Sequence, residues 1–198
     1  MRSLVFLLLV GCSPTSLPVS AYEQAIARLR DVDTDRPYVA GEYIYYARVD
    51  DGVRVHYRRG TAPDAPEEVL FRDDELAAPF LGSMQVSPDS RWLAVSTETA
   101  RDRWSLILKD LETGEIATSI DGTDFSLAWD QSNTLYFAKL DESNTPRTVV
   151  AIKPKKSARV IHQEKEREVL VAPVDDDAAV FIDRGAEGWT LPGVRSAW

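Results

Sequence analysis

Cysteine is almost absent. Cys12 is the single one in a chain of 198 residues, so no internal disulfide can staple the fold. Histidine is nearly as scarce, with His56 and His162 alone. No G-x-S-x-G occurs, so there is no strand-to-helix elbow to lift a serine to an oxyanion hole. An acyl-transfer triad needs a base held by an acid and within reach of its nucleophile, and neither histidine has a recognisable serine elbow to serve. No catalytic residue is therefore expected in this sequence. Positive charge is short as well: 23 Lys and Arg stand against 32 Asp and Glu, a net charge of −9. Such a surface repels nucleic-acid backbone and anionic headgroups, so nucleic acid is not an expected partner. The apolar run Leu4 to Val10 is too short to span a bilayer as a helix. Asp31, Asp33, Asp35 and Glu42 take positions 1, 3, 5 and 12 of an EF-hand-like spacing, but Arg36 and Pro37 stand where the sharp turn needs glycine. No metal or cofactor is expected.

What is there begins with a leader. Arg2 followed by Leu4 to Val10 reads as a signal segment. Leu9-Val10-Gly11-Cys12 resembles the lipobox of bacterial lipoproteins, which implies removal of residues 1–11 and acylation of Cys12. Two or more acyl chains, at about 0.8 kcal/mol per buried methylene, would hold the protein to a membrane. The expected location is the bacterial cell envelope, exported and anchored by lipid. Residues 12–19, with Pro14 and Pro18, form a tether. Ser20 and Glu23 make a capping box, and Tyr22, Ala25, Ile26 and Leu29 fall at i, i+3, i+4 and i+7, which predicts a helix over 20–31 with one apolar stripe. Such a helix docks on something larger.

From Pro37 the period changes from 3.6 to 2. GEYIYYARV, VRVHYRR and EEVLF are strand-like, with Asp51-Gly52 a tight hairpin signal between the first two. In VRVHYRR, Val53, Val55 and Tyr57 alternate with Arg54, His56 and Arg58, as in a strand with one wet face. The order then repeats: MQVSPDSRWLAVSTE, WSLILKDLETGE and EIATSI are followed by SLAWDQSNTLYFAKL, RTVVAIK and ARVIH. Leu93 aligns with Leu135 and Ser90 with Ser132, an offset of 42. REVLVAPVDDDAAVFID opens a further copy. A four-strand unit recurring every 40 to 50 residues marks propeller blades, each burying its faces against its neighbours. A non-repeating β-sandwich does not predict a fixed offset. Trp92, Trp104 and Trp129 fall in repeat strands and suit blade packing, and both histidines read as blade-surface residues. Asp73-Asp74-Glu75 fits the first turn of a short helix and Asp175-Asp176-Asp177 a hairpin turn. Lys153, Lys155, Lys156 and Arg159 read as a wet loop.

The phrases VSPDSRWLAVS and LKDLETGE resemble blade signatures of the prolyl oligopeptidase family. IARLRDVDTDRPYVAGEYIYYARVDDG and VHYRRGTAPDAPEEVLF are similar to the lead-in of the propeller in oligopeptidase B-type members, and the resemblance runs over about residues 22–183. It implies a seven-bladed propeller that caps an α/β-hydrolase domain and admits short peptides, with the nucleophile, acid and base all in the hydrolase part. Nothing in this sequence matches that part.

The expected architecture is all-β: a partial β-propeller over 37–183 behind one short α-helix. Its blades are expected at about 38–72, 82–121 and 124–162, with an incomplete one at 167–183, and an irregular tail at 184–198. The expected role is the substrate-gating portion of a lipid-anchored serine peptidase, inactive alone. Its expected partners are a separately encoded α/β-hydrolase domain or short peptides, and the membrane through Cys12. A non-enzymatic, surface-tethered β-repeat binding module and a truncated gene relic share the same residues and stay open at this point.

Overall fold

Strand-forming runs punctuated by Gly, Asn and Asp turns fold as antiparallel sheets. The computed structural model describes residues 37–76, 81–174, 177–183 and 189–190. Cys12, the expected helix at 20–31 and Asp31, Asp33 and Asp35 lie outside the described residues. A first sheet contains β1 (Tyr38–Ala40), β2 (Tyr43–Asp50), β3 (Val53–Gly60) and β4 (Glu67–Arg72), in that order. At the β2–β3 turn, Asp51 and Gly52 have φ of 52° and 82°, the left-handed pair of a type I′ hairpin. A single 3-10 turn, Asp73–Glu75, follows β4.

The next seven strands are β5 (Leu81–Val86), β6 (Trp92–Ala100), β7 (Arg103–Asp110), β8 (Ile116–Trp129), β9 (Leu135–Leu140), β10 (Pro146–Ile152) and β11 (Arg159–Gln163). They form one continuous ladder in reverse chain order. It holds two blades joined through β8. The first half of β8 pairs with β7 from Lys109↔Ile116 to Ser105↔Asp121, and the second half pairs with β9 from Leu127↔Phe137 to Trp129↔Leu135. One strand is thus the outer strand of the second blade and the inner strand of the third, running through the 121–124 junction without a loop. Gly122, with φ +70°, turns the backbone there. A third sheet contains β12 (Val169–Val174), β13 (Asp177–Asp183) and β14 (Trp189–Thr190). The three sheets together hold four blades of a β-propeller, which do not close into a ring among the described residues.

Alternation along the inner strands puts a core on each side of a blade. Trp92, Ala94, Leu106 and Leu108 of the second blade meet Leu127, Trp129, Leu135 and Phe137 of the third. The intervening residues Tyr136, Ala138, Val149 and Ala151 point the other way, onto Val169, Val171, Ala178 and Val180 of the fourth. The second blade's other face, Leu93 and Val95, packs on Tyr45, Leu70 and Phe71 of the first. Strands buried on both faces read as near-continuous apolar runs.

One expectation fails here. Strand β3 has no wet face over its middle: Val55, His56, Tyr57 and Arg58 are all buried. The face bearing His56 and Arg58 is covered by the 3-10 turn and by the second blade, so polar side chains that read as solvent-facing serve as contacts between elements.

Polar bonds between blades follow the repeat. Gln85 Nε2 donates to the Leu127 carbonyl at 3.0 Å, and Trp129 Nε1 donates to the Gln85 carbonyl at 3.3 Å. The Asp89 amide donates to Asn133 Oδ1 and Arg103 Nη1 to Asn144 Oδ1. Both asparagines sit at φ 58°, a left-handed position that asparagine tolerates and that here aims its carboxamide at the preceding blade.

Candidate functional site

The first and second blades meet at two turns, Gly41–Glu42 between β1 and β2 and Ser87–Arg91 between β5 and β6. Between them lies a cleft of about 510 Å³, lined chiefly by Tyr43, Arg58, Asp89, Ser90, Arg91 and Glu112. Arg58 is its anchor. Its Nε donates to Glu68 Oε2 at 2.8 Å and its Nη1 to the Ser90 carbonyl at 2.6 Å, and the guanidinium lies 4.5 Å from the centroid of the Tyr43 ring. The planar fork makes both bonds at once and ties the two blades. Beneath it, Tyr45 Oη is buried with no hydrogen-bond partner of good geometry among the described residues, and burial pushes its pKa up while the Arg58 charge opposes the shift.

Arg91 closes the other side. It reaches Asp110 Oδ2 at 3.3 Å and Glu112 Oε2 at 2.9 Å, and the Asp110 bond raises its pKa. Asp110 is buried and accepts a second cation, Lys155 of the third blade, at 3.3 Å. Burial pushes the Asp110 carboxyl up, but the Glu112 amide, Arg91 and Lys155 outweigh it and hold the pKa low. Arg91 and Lys155 also lie 5.5 and 5.4 Å from the Trp92 ring centroid. The cleft therefore presents paired cations beside carboxylates. Among the described residues no nucleophile and base are brought together in it.

His56 departs from the expected surface position. It is 4% exposed, its ring stacks on Phe71 at 4.2 Å between centroids, and its Nε2 lies 3.1 Å from Asp73 Oδ1. The turn after β4 folds Asp73 back over β3. Burial lowers the His56 pKa and Asp73 opposes that shift. Since the unfolded imidazole takes up a proton near its ordinary pKa of about 6.5 while the folded one resists it, this contribution to stability is complete above that value. It is lost as pH falls through it toward the lower folded value. His56→Phe is expected to lose less stability than the parent between pH 7 and 5 in urea titrations; equal losses would assign the effect to other groups. His162 sits on β11, half-exposed, with Nε2 3.0 Å from Glu164 Oε1. The two histidines are on separate blades and are not brought together.

Trp92 and Trp129 lie in the core between the second and third blades, and Trp104 packs edge-on against Phe125 at 6.0 Å. Asp73–Glu75 forms the 3-10 turn, and Lys155 of the basic loop is one of the two cations on Asp110, with Arg91. Sequence reasoning missed Tyr43, Arg58 and Arg91 as a group, because the cleft exists only where two blades meet.

The repeat, the open ring and the blade-to-blade packing define a β-propeller. Residues 16–191 match the family described as prolyl oligopeptidase, N-terminal beta-propeller domain, and the chain belongs to that family. It is 28% identical over 181 residues to a dipeptidyl aminopeptidase BI of Pseudoxanthomonas mexicana, covering 79% of this chain and 24% of that protein. It is 24% identical over 183 residues to a protease 2 of Moraxella lacunata, covering 84% of this chain and 26% of that protein. Among solved structures it resembles oligopeptidase B from Leishmania major with a TM-score of 0.63 at 20% identity, covering 87% of this chain and 29% of that one. The chain thus spans about a quarter of the length of these curated relatives.

Proposed function

We propose that this chain is the substrate-gating propeller portion of a lipid-anchored, oligopeptidase B-like serine peptidase acting on short peptides. The match to the propeller family over residues 16–191 carries the reading, and relatives named as peptidases supply the reaction class. In this reading the blades stand over an α/β-hydrolase domain and admit narrow, extended chains. The nucleophile and its base come from that domain, since the sequence contains no G-x-S-x-G. The cleft around Arg58 and Arg91 offers donors and acceptors to a passing peptide main chain.

The test is a chimera. Residues 16–191 replace the matching quarter of the Pseudoxanthomonas mexicana relative. The folded chimera is expected to cleave short peptides, and a folded chimera without peptidase activity overturns the proposal. The 198-residue chain by itself is expected to leave basic-residue peptide esters intact; turnover by the purified chain would overturn its inactivity alone.

Anchoring rests on Leu9-Val10-Gly11-Cys12. Cys12→Ala is expected to abolish both incorporation of labelled palmitate and sedimentation with membranes. Labelling that survives the substitution would remove the anchor from the proposal.

A further inference from the structure

The seams between the blades are not built alike. The second and third blades share β8, which runs from one into the other as a single strand. Their common core is buried, with Ile120 the one partly buried apolar residue packed against it among the described residues. No strand joins the first blade to the second in this way, since the two belong to separate sheets. Backbones approach closely where β8 meets β5 and where β8 meets β12, and not to that extent across the first seam.

The filling of the first seam is looser. Tyr45, Leu70, Phe71, Leu93 and Val95 are buried there, but Tyr43, Leu81, Met84, Val86 and Leu111 around them are only partly so. Its polar ties come from flexible cations. Arg58 Nη1 donates to the Ser90 carbonyl at 2.6 Å, and Lys109 Nζ donates to the Leu70 carbonyl at 2.7 Å. Water can replace such donors when a seam parts, while the cations reach solvent on their long stems. Tyr45 Oη, buried with no partner of good geometry among the described residues, gives up no bond on opening and gains water. The cleft stands at the mouth of this same seam, with Tyr43 and Arg58 on one wall and Ser90 and Arg91 on the other.

We propose that the seam between the first and second blades is a joint at which the two blades part intact, with Arg58 and Lys109 as the latch that holds it shut. Parting carries the cleft inward onto Tyr45 and Leu93, so that a polar mouth gains an apolar floor. This does not depend on the peptidase reading, because it concerns only how these blades are joined.

Neighbouring residues of β6 read the two seams separately. Val95, 3% exposed, belongs to the core shared with the first blade, and Ala94, 0% exposed, to the core shared with the third. In the full chain carrying Cys12→Ser, Val95→Cys is expected to react with a thiol reagent such as DTNB at least tenfold faster than Ala94→Cys. Equal rates would mean that the second blade opens as a whole, and would overturn the proposal. Should Ala94→Cys fail to fold, Leu108→Cys reads the same core.

Amide hydrogen exchange at 44–47 and 55–58 reports whether the first blade stays folded meanwhile. Its opening equilibrium is expected to be at least tenfold smaller than that read by Val95→Cys. A matching value would mean that the first blade unfolds, which also overturns the proposal. Adding Arg58→Met and Lys109→Met is expected to speed labelling of Val95→Cys at least tenfold and to leave Ala94→Cys as it was. An unaltered Val95→Cys rate would overturn the latch.

Discussion

Trp129→Ala is expected to destabilise the chain by about 3–5 kcal/mol, the usual cost of emptying a large aromatic site in a core. Trp129 stands at the end of β8 against Trp92, Leu108 and Leu135, where the second and third blades share their core. Its loss removes packing on both blades. It also leaves the Gln85 carbonyl without its donor, although Gln85 keeps its own bond to the Leu127 carbonyl. Urea slopes for domains of this size are about 1–3 kcal/mol per molar, so the midpoint should fall by roughly 1 M or more. Trp129→Phe keeps much of the packing and gives up the indole bond, so a clearly smaller loss is expected. A midpoint unmoved by the alanine variant would mean that this interface does not open in the main unfolding transition.

Asp130→Ala is expected to be nearly as costly, about 2–4 kcal/mol, through bonds and not volume. One carboxylate oxygen accepts from the Ser132 amide at 2.9 Å, the Ser132 hydroxyl at 2.8 Å and the Thr134 amide at 2.8 Å. The other accepts from the Tyr136 hydroxyl at 3.1 Å. The residue is buried, so alanine strands donors that water reaches poorly. Asp130→Asn keeps an oxygen for the turn and should recover most of the loss. If alanine and asparagine were equally destabilising in urea titration, the turn bonds would not be the source.

The residues that follow Asp130 show what could be read in advance and what could not. Strand after strand was legible because period-two runs lie between turn residues, and Asp51-Gly52 takes the left-handed geometry its chemistry favours. The 42-residue offset of Leu93 and Leu135 also marks equivalent strands, each of these leucines being wholly buried. The turn before them does not keep that offset. Its left-handed residue is Ser90 in one blade and Asn133 in the next, so the alignment of Ser90 with Ser132 slips by one in a turn of different length. A short repeat went unread: Asp130-Gln131-Ser132-Asn133-Thr134 and Asp141-Glu142-Ser143-Asn144-Thr145 share D-x-S-N-T. In both, the aspartate accepts from amides two and four residues on, and the asparagine reaches the preceding blade.

Burial of polar groups was the less legible part. Arg58 and His56 look like solvent contacts in a single strand, since nothing local says that a second blade or a returning turn will cover them. Their partners, Ser90 and Asp73, lie 32 and 17 residues along the chain. The cleft shares this difficulty, being made of two turns that meet only after the blades have packed.

The distances along the chain at which blades bond one another bear on how the protein is made. Gln85 to Leu127, Asp89 to Asn133, Arg103 to Asn144 and Val171 to Ser126 are separated by 42, 44, 41 and 45 residues. Each of these bonds looks back one blade and no further. During synthesis at about 5–20 residues per second, a blade leaving the ribosome finds its neighbour already complete within a few seconds. Assembly can then advance in step with translation, each finished blade serving as the template on which the next one is laid.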